Sequence, residues 1–196
     1  MSAAGATLAL VTEWIALLRG VNVGGITVRS AELAALFREL GFDGVRTVLA
    51  SGNVAFSTGG PGANNGAAVP PESGSELKSR IERALSDRFG YEAWIVLVTR
   101  DELERVIASF PFDADREGWH PYVVFSSSPD ALDELVAAAG GLDAADDIVA
   151  RGVGVLYWHN RRERGVDSAF SKVTAKARFK PSITTRNLRT LRKLTA

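Results

Sequence analysis

The chain contains no cysteine, which excludes disulfides, thiolate nucleophiles and cysteine-ligated metals together, and suits a reducing compartment. Histidine is nearly as scarce, with His120 and His159 alone, and methionine occurs once. No basic residue precedes Arg19, and Glu13 interrupts the short apolar stretch that begins at Leu8. Neither an export signal nor a membrane-spanning run of about 20 apolar residues is therefore expected. Nucleotide motifs are missing too. Gly20, Gly24 and Gly25 satisfy neither G-x-G-x-x-G nor the P-loop pattern, and there is no G-x-S-x-G elbow for a serine hydrolase. A soluble, cytoplasmic protein with no membrane partner is the expectation.

What is present is a chain of 196 residues, 46% apolar, long enough for one large domain or two small ones. Its net charge is zero, but the charges are segregated. Residues 1–150 hold 11 basic and 21 acidic side chains, and residues 151–196 hold 12 and 2. Such asymmetry points either to an anionic partner or to a basic end packed against its own acidic body.

The apolar run Trp14 to Val21 reads as a buried strand. Ser30 suits a helix N-cap, with Leu33, Leu36, Phe37 and Leu40 at helical spacing before Gly41. Val45–Ala50 and Val54–Ser57 read as strands around the turn Ser51-Gly52-Asn53. Residues 57–75, rich in Gly, Pro, Asn and Ser, predict a flexible loop. Ser73 and Glu76 have capping-box spacing and open an amphipathic helix, and Trp94–Val98 follows as a strand. Thr99 and Glu102 repeat the box and predict a connecting helix, with residues 110–121 as a loop. Then come a strand (Tyr122–Ser126), a helix with Leu132 and Leu135, a hairpin about Arg151-Gly152, a helix from Ser168 to Phe179, a short strand (Ser182–Thr184) and a terminal helix (Arg186–Leu194). The order is β-α-β-β-α-β twice, followed by a helix. The predicted fold is therefore α+β, two ferredoxin-like (α/β-plait) subdomains. The divisions are a disordered extension at 1–12, a first subdomain at 13–98, a connection at 99–120 and a second subdomain at 121–196.

Three stretches, Ile15–Gly25, Ser51–Phe56 and Thr184–Leu194, together resemble the DUF1697 family of bacterial proteins of unknown function. The resemblance spans roughly residues 14 to 194 and implies two α/β-plait subdomains, but no activity. The family's usual aromatic and glutamine before the SGN turn are Val48 and Ala50 here. Its tryptophan after the Arg-Asn pair is Leu188, and Arg29 stands where a lysine is usual.

The candidate ligand-binding residues come from these stretches. The glycine loop after the first strand offers backbone N–H groups near a helix start. Arg19, Gly20, Asn22, Gly24, Gly25 and Arg29 are assigned there. Ser51, Gly52 and Asn53 form the second group, and Thr185, Arg186 and Asn187 with Lys172 the third. Lys172, Lys176 and Lys180 are spaced by four, and Arg189, Arg192 and Lys193 flank the leucine stripe Leu188, Leu191 and Leu194. The leading expectation is a module binding phosphate, a nucleotide or nucleic acid through this basic end. One alternative is an enzyme on a nucleotide-like substrate between the subdomains. The other is a structural protein whose open sheet faces pack together or form a homodimer. Asp113, Asp115 and Glu117 with His120 alternate as in a calcium loop, but the glycine and final glutamate of that pattern are misplaced. No metal or cofactor is expected, and no catalytic residue can be named. Tyr157 and Trp158 are adjacent on one strand, so one at most can face an open sheet surface for base stacking.

Overall fold

The computed structural model describes residues 11–21, 27–49, 52–59, 72–179 and 182–196. Strands β1 (Thr12–Arg19), β2 (Asp43–Thr47), β3 (Asn53–Thr58) and β4 (Trp94–Thr99), with helices α1 (Ser30–Glu39) and α2 (Gly74–Phe89), build the first subdomain. Helix α3 (Arg100–Ala108) leads into β5 (Trp119–Ser126), α4 (Pro129–Ala139), β6 (Asp147–Arg151), β7 (Val155–Arg161), α5 (Ala169–Thr174) and β8 (Ile183–Asn187), and α6 (Leu188–Thr195) follows. The strand orders are β2-β3-β1-β4 and β6-β7-β5-β8, antiparallel throughout. The β-α-β-β-α-β unit thus occurs twice, as the hydrophobic pattern predicts.

The two sheets face one another with α3 and α6 between them. Ile15, Leu17 and Val96 of the first sheet share a core with Val123, Phe125, Val155 and Tyr157 of the second, filled by Leu103 of α3 and by Leu188, Leu191 and Leu194 of α6. On the outer faces, Ala16, Leu18, Phe56 and Ile95 meet α1 and α2 through Leu33, Phe37, Leu77 and Ile81. Val124, Leu156 and Trp158 meet Leu132, Leu135 and Phe170 of α4 and α5. Each sheet is covered on both sides, so β1 is apolar on both its alternating faces and reads as a continuous run. The faces expected to be open are joined within the chain.

Local signals account for the helix starts. Both capping boxes close: Glu76 N–H donates to Ser73 Oγ at 3.3 Å and Ser73 N–H to Glu76 Oε2 at 2.9 Å. The Thr99 and Glu102 pair matches at 3.2 and 2.8 Å. The start of α1 differs: Arg29 is the N-cap in an extended conformation, and Ser30 is the first helical residue.

Several boundaries depart from the sequence reading. β1 begins at Thr12, placed in the extension, because β3 continues far enough to pair Thr58 with it. It ends at Arg19, since Gly20 turns the chain at φ +73°. Trp119, His120 and Pro121, read as loop, belong to β5, where β7 extends opposite them. The missing N–H of Pro121 is tolerated because β8 pairs only from Tyr122 onward.

Helix α5 stops at Thr174, although a helix to Phe179 was expected. Nine helical residues rotate the chain by half a turn, about 180°, which would put Phe170 and Phe179 on opposite faces. Both are buried in the same core, at 0% and 1% exposure, so the helix gives way to turns between them. Lys172 and Lys176 consequently do not share a helix face. Lys180, the loop at 60–71 and residues 1–10 lie outside the described residues.

Finally, Arg186 sits in β8 and not in the terminal helix. Asn187 caps α6, its Oδ1 accepting from Arg189 N–H at 2.9 Å.

Candidate functional site

Three distant segments meet where β1 ends. Leu18 N–H donates to Gly52 O at 2.8 Å, tying the first strand to the SGN turn. The turn is closed by Asn53, whose Nδ2 donates to Val48 O at 2.9 Å while Val48 N–H donates to Asn53 O at 3.0 Å. Arg186 crosses from the second sheet. Its Nε donates to Asn53 Oδ1 at 2.5 Å, its Nη1 to Thr184 Oγ1 at 2.7 Å and Thr185 O at 2.9 Å, and its Nη2 to Leu18 O. Asn53 is 0% exposed and Arg186 9%. Burial pushes the Arg186 guanidinium down to about 10, so it remains charged near neutrality.

This junction brings together members of all three candidate groups, but Asn53 and Arg186 point into it. Their hydrogen bonds fasten one subdomain to the other. Gly52 shows how closely the segments pack: at φ +68°, a Cβ there would lie 2.5 Å from Val21 Cγ2 and 2.9 Å from Leu18 Cβ. Gly52→Ala combines a left-handed backbone with overpacking and is expected to cost about 2 to 4 kcal/mol. Urea unfolding checks this, and a loss below about 1 kcal/mol would mean that the turn moves freely.

The other candidates are dispersed around the junction. Arg19 is half-buried, and desolvation lowers its proton affinity. Gly20 and Arg29 are exposed, and Thr185 and Asn187 half-exposed. Lys172 lies on α5, across the second sheet from the face that carries Arg186. Asn22, Gly24, Gly25 and Ser51 lie outside the described residues.

The histidines are unlike one another. His159 is 1% exposed, stacked on Phe112 at 5.7 Å and packed on Trp119 at 4.9 Å. Desolvation lowers its proton affinity, with a further contribution from Arg116. His120 is half-exposed beside Tyr122, its proton affinity lowered by burial and then by the charges of Arg162 and Arg189. In the acidic loop, Asp113 Oδ1 accepts from Asp115 N–H at 3.0 Å and stabilises its own turn.

The charge segregation resolves into distinct roles. Arg151, Arg164 and Arg178 pair with Asp133, Asp146 and Glu134, and Arg161 with Glu163. Arg162, Lys172, Lys176, Arg189, Arg192 and Lys193 are exposed. Among the described residues, which include every Asp and Glu of the chain, none of these six has a carboxylate within 4.0 Å. Beyond strand pairing and the buried leucines, arginines of the body also hold the tail. Arg46 donates to the carbonyls of Lys193, Leu194 and Ala196 at 2.8, 2.9 and 3.1 Å, and Arg100 donates to Thr195 O, satisfying the C-terminal end of α6.

The sequence profile of DUF1697, described as a protein of unknown function, matches residues 11–157. The chain belongs to the DUF1697 family. The match ends within β7, so β8 and α6, with the Arg186 bridge, lie beyond it. A solved structure shares the fold over nearly the whole chain. The conserved bacterial protein SP0830 from Streptococcus pneumoniae aligns with TM-score 0.75 at 23% identity, over 95% of this chain and 98% of that one. A search of the curated proteins finds no match. Among the described residues, no helix is long and apolar enough to cross a membrane.

Sequence reasoning did not single out Arg162. It stands 27 positions before Arg189 in the chain, and only the pairing of β5 with β7 on one side and β8 on the other places both near His120. Tyr157 and Trp158 are both buried, at 3% and 6%, on opposite faces of β7. Neither is available to stack a base.

Proposed function

We propose that this DUF1697 protein binds the phosphate backbone of nucleic acid through the exposed basic face of its second subdomain. Arg162, Arg189, Arg192 and Lys193 carry the contacts, with His120 and Asn187 beside them. The observation that supports this is the set of exposed cations with no carboxylate within ion-pair distance. On α6, Arg189 and Lys193 are four residues apart and project from the side opposite the buried leucines, with Arg192 exposed on the flank beside them. With Tyr157 and Trp158 buried, binding is mainly to the backbone and tolerant of sequence.

The expected signature is strong salt dependence. Four phosphate contacts on a single strand give a slope near −2.8 in log affinity against log salt, so affinity falls about 50-fold between roughly 50 and 200 mM salt. Fluorescence anisotropy with labelled 20-nucleotide DNA and RNA strands measures it. The double reversal Arg189→Glu with Arg192→Glu, on exposed positions, is expected to abolish binding without changing the unfolding midpoint. No binding at low salt, or equal binding by the double variant, would remove this reading. Displacement by a mononucleotide at equal ionic strength would instead favour a phosphorylated small molecule at the same face.

A further inference from the structure

We propose that the groove between the two subdomains is a second binding site, for an amphipathic monoanion: an apolar chain or ring carrying a single carboxylate. The groove encloses about 660 Å³, within the range of about 300 to 1,000 Å³ typical of small-molecule sites. One wall is the edge strand β4 with α3, and the other is the end of β5 with the β6–β7 hairpin. Val96, Val98, Val106, Phe125, Val155 and Tyr157 line it. These belong to or pack against the core between the sheets, so the protein's central apolar layer reaches the surface at this point.

Two observations specify the occupant. The first is Val153, at the hairpin apex on the groove's rim, which is 96% exposed. Its neighbour Gly152 holds the apex down on the wall, since a Cβ there would lie 2.5 Å from the Tyr157 ring and 2.9 Å from Val155 Cγ2. A fully exposed valine fixed beside an apolar groove extends the apolar surface that a ligand can cover. The second is the rim charge. Arg151 is tied to Asp133 at 3.2 Å and to the carbonyls of Gly152 and Val155, each at 3.1 Å. Glu102 is engaged in the Thr99 capping box. Arg105 has no ion pair or side-chain hydrogen bond among the described residues, and it lies exposed on α3 at the groove. One uncompensated guanidinium above an apolar trough matches one carboxylate on an apolar body. The Tyr157 hydroxyl on the floor already donates to Val106 O at 3.0 Å.

The groove is separate from the basic face. His120 lies near the start of β5 and Phe125 near its end, about 16 Å apart along the strand. A hydrophobic monoanion at one end and a polyanion at the other are different ligands.

The test uses the full chain with decanoate and decanol as probes, followed by amide correlation spectra. Decanoate at about 1 mM is expected to shift residues of β4, α3 and the β6–β7 hairpin, and to bind at least about tenfold more tightly than decanol. Arg105→Gln, an exposed substitution that leaves folding intact, is expected to abolish that preference. Val98→Trp fills the trough and is expected to weaken both probes about tenfold or more. The proposal is overturned by no shifts, by shifts confined to other surfaces, or by equal decanoate binding in the Arg105→Gln protein. Because Arg105 lines the groove and is not among the residues assigned to the basic face, these outcomes are read independently of nucleic-acid binding.

Discussion

Arg186→Met is expected to lower the free energy of unfolding by about 3 to 4 kcal/mol. Methionine fills much of the space but donates no hydrogen bond. Asn53 Oδ1, Leu18 O and Thr184 Oγ1 then lose their donor at a site where Asn53 is 0% and Thr184 6% exposed. Each buried acceptor left unmade costs about 1 to 3 kcal/mol, and the relief of no longer burying a guanidinium offsets part of the sum. The damage falls on the connection between the subdomains, because the broken bonds join β8 to β1 and to the SGN turn. Unfolding followed by tryptophan fluorescence and by circular dichroism should therefore show lost coincidence of the two transitions as well as a lower midpoint. Arg186→Lys restores charge but not the fork that reaches three directions, and is expected to recover little. A loss under about 1 kcal/mol for Arg186→Met would show that the bridge contributes nothing net.

The second large effect is at Asp147. This carboxylate is 3% exposed at the start of β6. Its Oδ1 accepts from Trp158 Nε1 at 2.8 Å and Asn160 Nδ2 at 3.0 Å, and its Oδ2 accepts from Phe170 N–H at 3.0 Å. It joins β7 to the first turn of α5, where a negative charge also suits the helix dipole. Asp147→Leu removes one group and strands three donors, so the expected loss is about 3 to 5 kcal/mol. Asp147→Asn keeps one acceptor oxygen but turns an amide N–H₂ toward a donor, and an intermediate loss of about 1 to 2 kcal/mol is expected. Urea titration of both variants checks the order. Equal losses for leucine and asparagine would mean that the second oxygen is irrelevant.

Both residues were visible in the sequence, but their roles were not. Arg186 was placed in the terminal helix because the spacing of Leu188, Leu191 and Leu194 extends naturally backward through a polar stretch. In the structure, β5 draws Ile183–Asn187 into a strand, which sends Thr184 and Arg186 inward and Ile183 outward. Asp147 attracted no notice as one acidic residue among several. Its donors, Asn160 and Phe170, come from β7 and α5, and only the packing of those elements gathers them.

Local signals were the most readable. The Ser73–Glu76 and Thr99–Glu102 boxes lie within one helical turn, so four consecutive residues contain the whole interaction. The β1 run was legible for a related reason: a strand covered on both sides must be apolar at every position. The helix from Ser168 to Phe179 misled because its local pattern is acceptable, and the requirement that Phe170 and Phe179 share one core is a tertiary constraint. The DUF1697 resemblance carried the topology but no chemistry, since the family is described as of unknown function.

By itself, then, the order of apolar periods in this chain determined the element sequence, and with it the doubled β-α-β-β-α-β scaffold, because alternation and helical spacing are properties of neighbouring residues. Tertiary structure alone decided that Asn53 and Arg186 meet across the subdomain junction, that Arg162 joins Arg189, and that a groove opens beside Arg105. Those outcomes depend on which strand edges meet and what burial leaves uncompensated, and these relations hold between residues tens of positions apart.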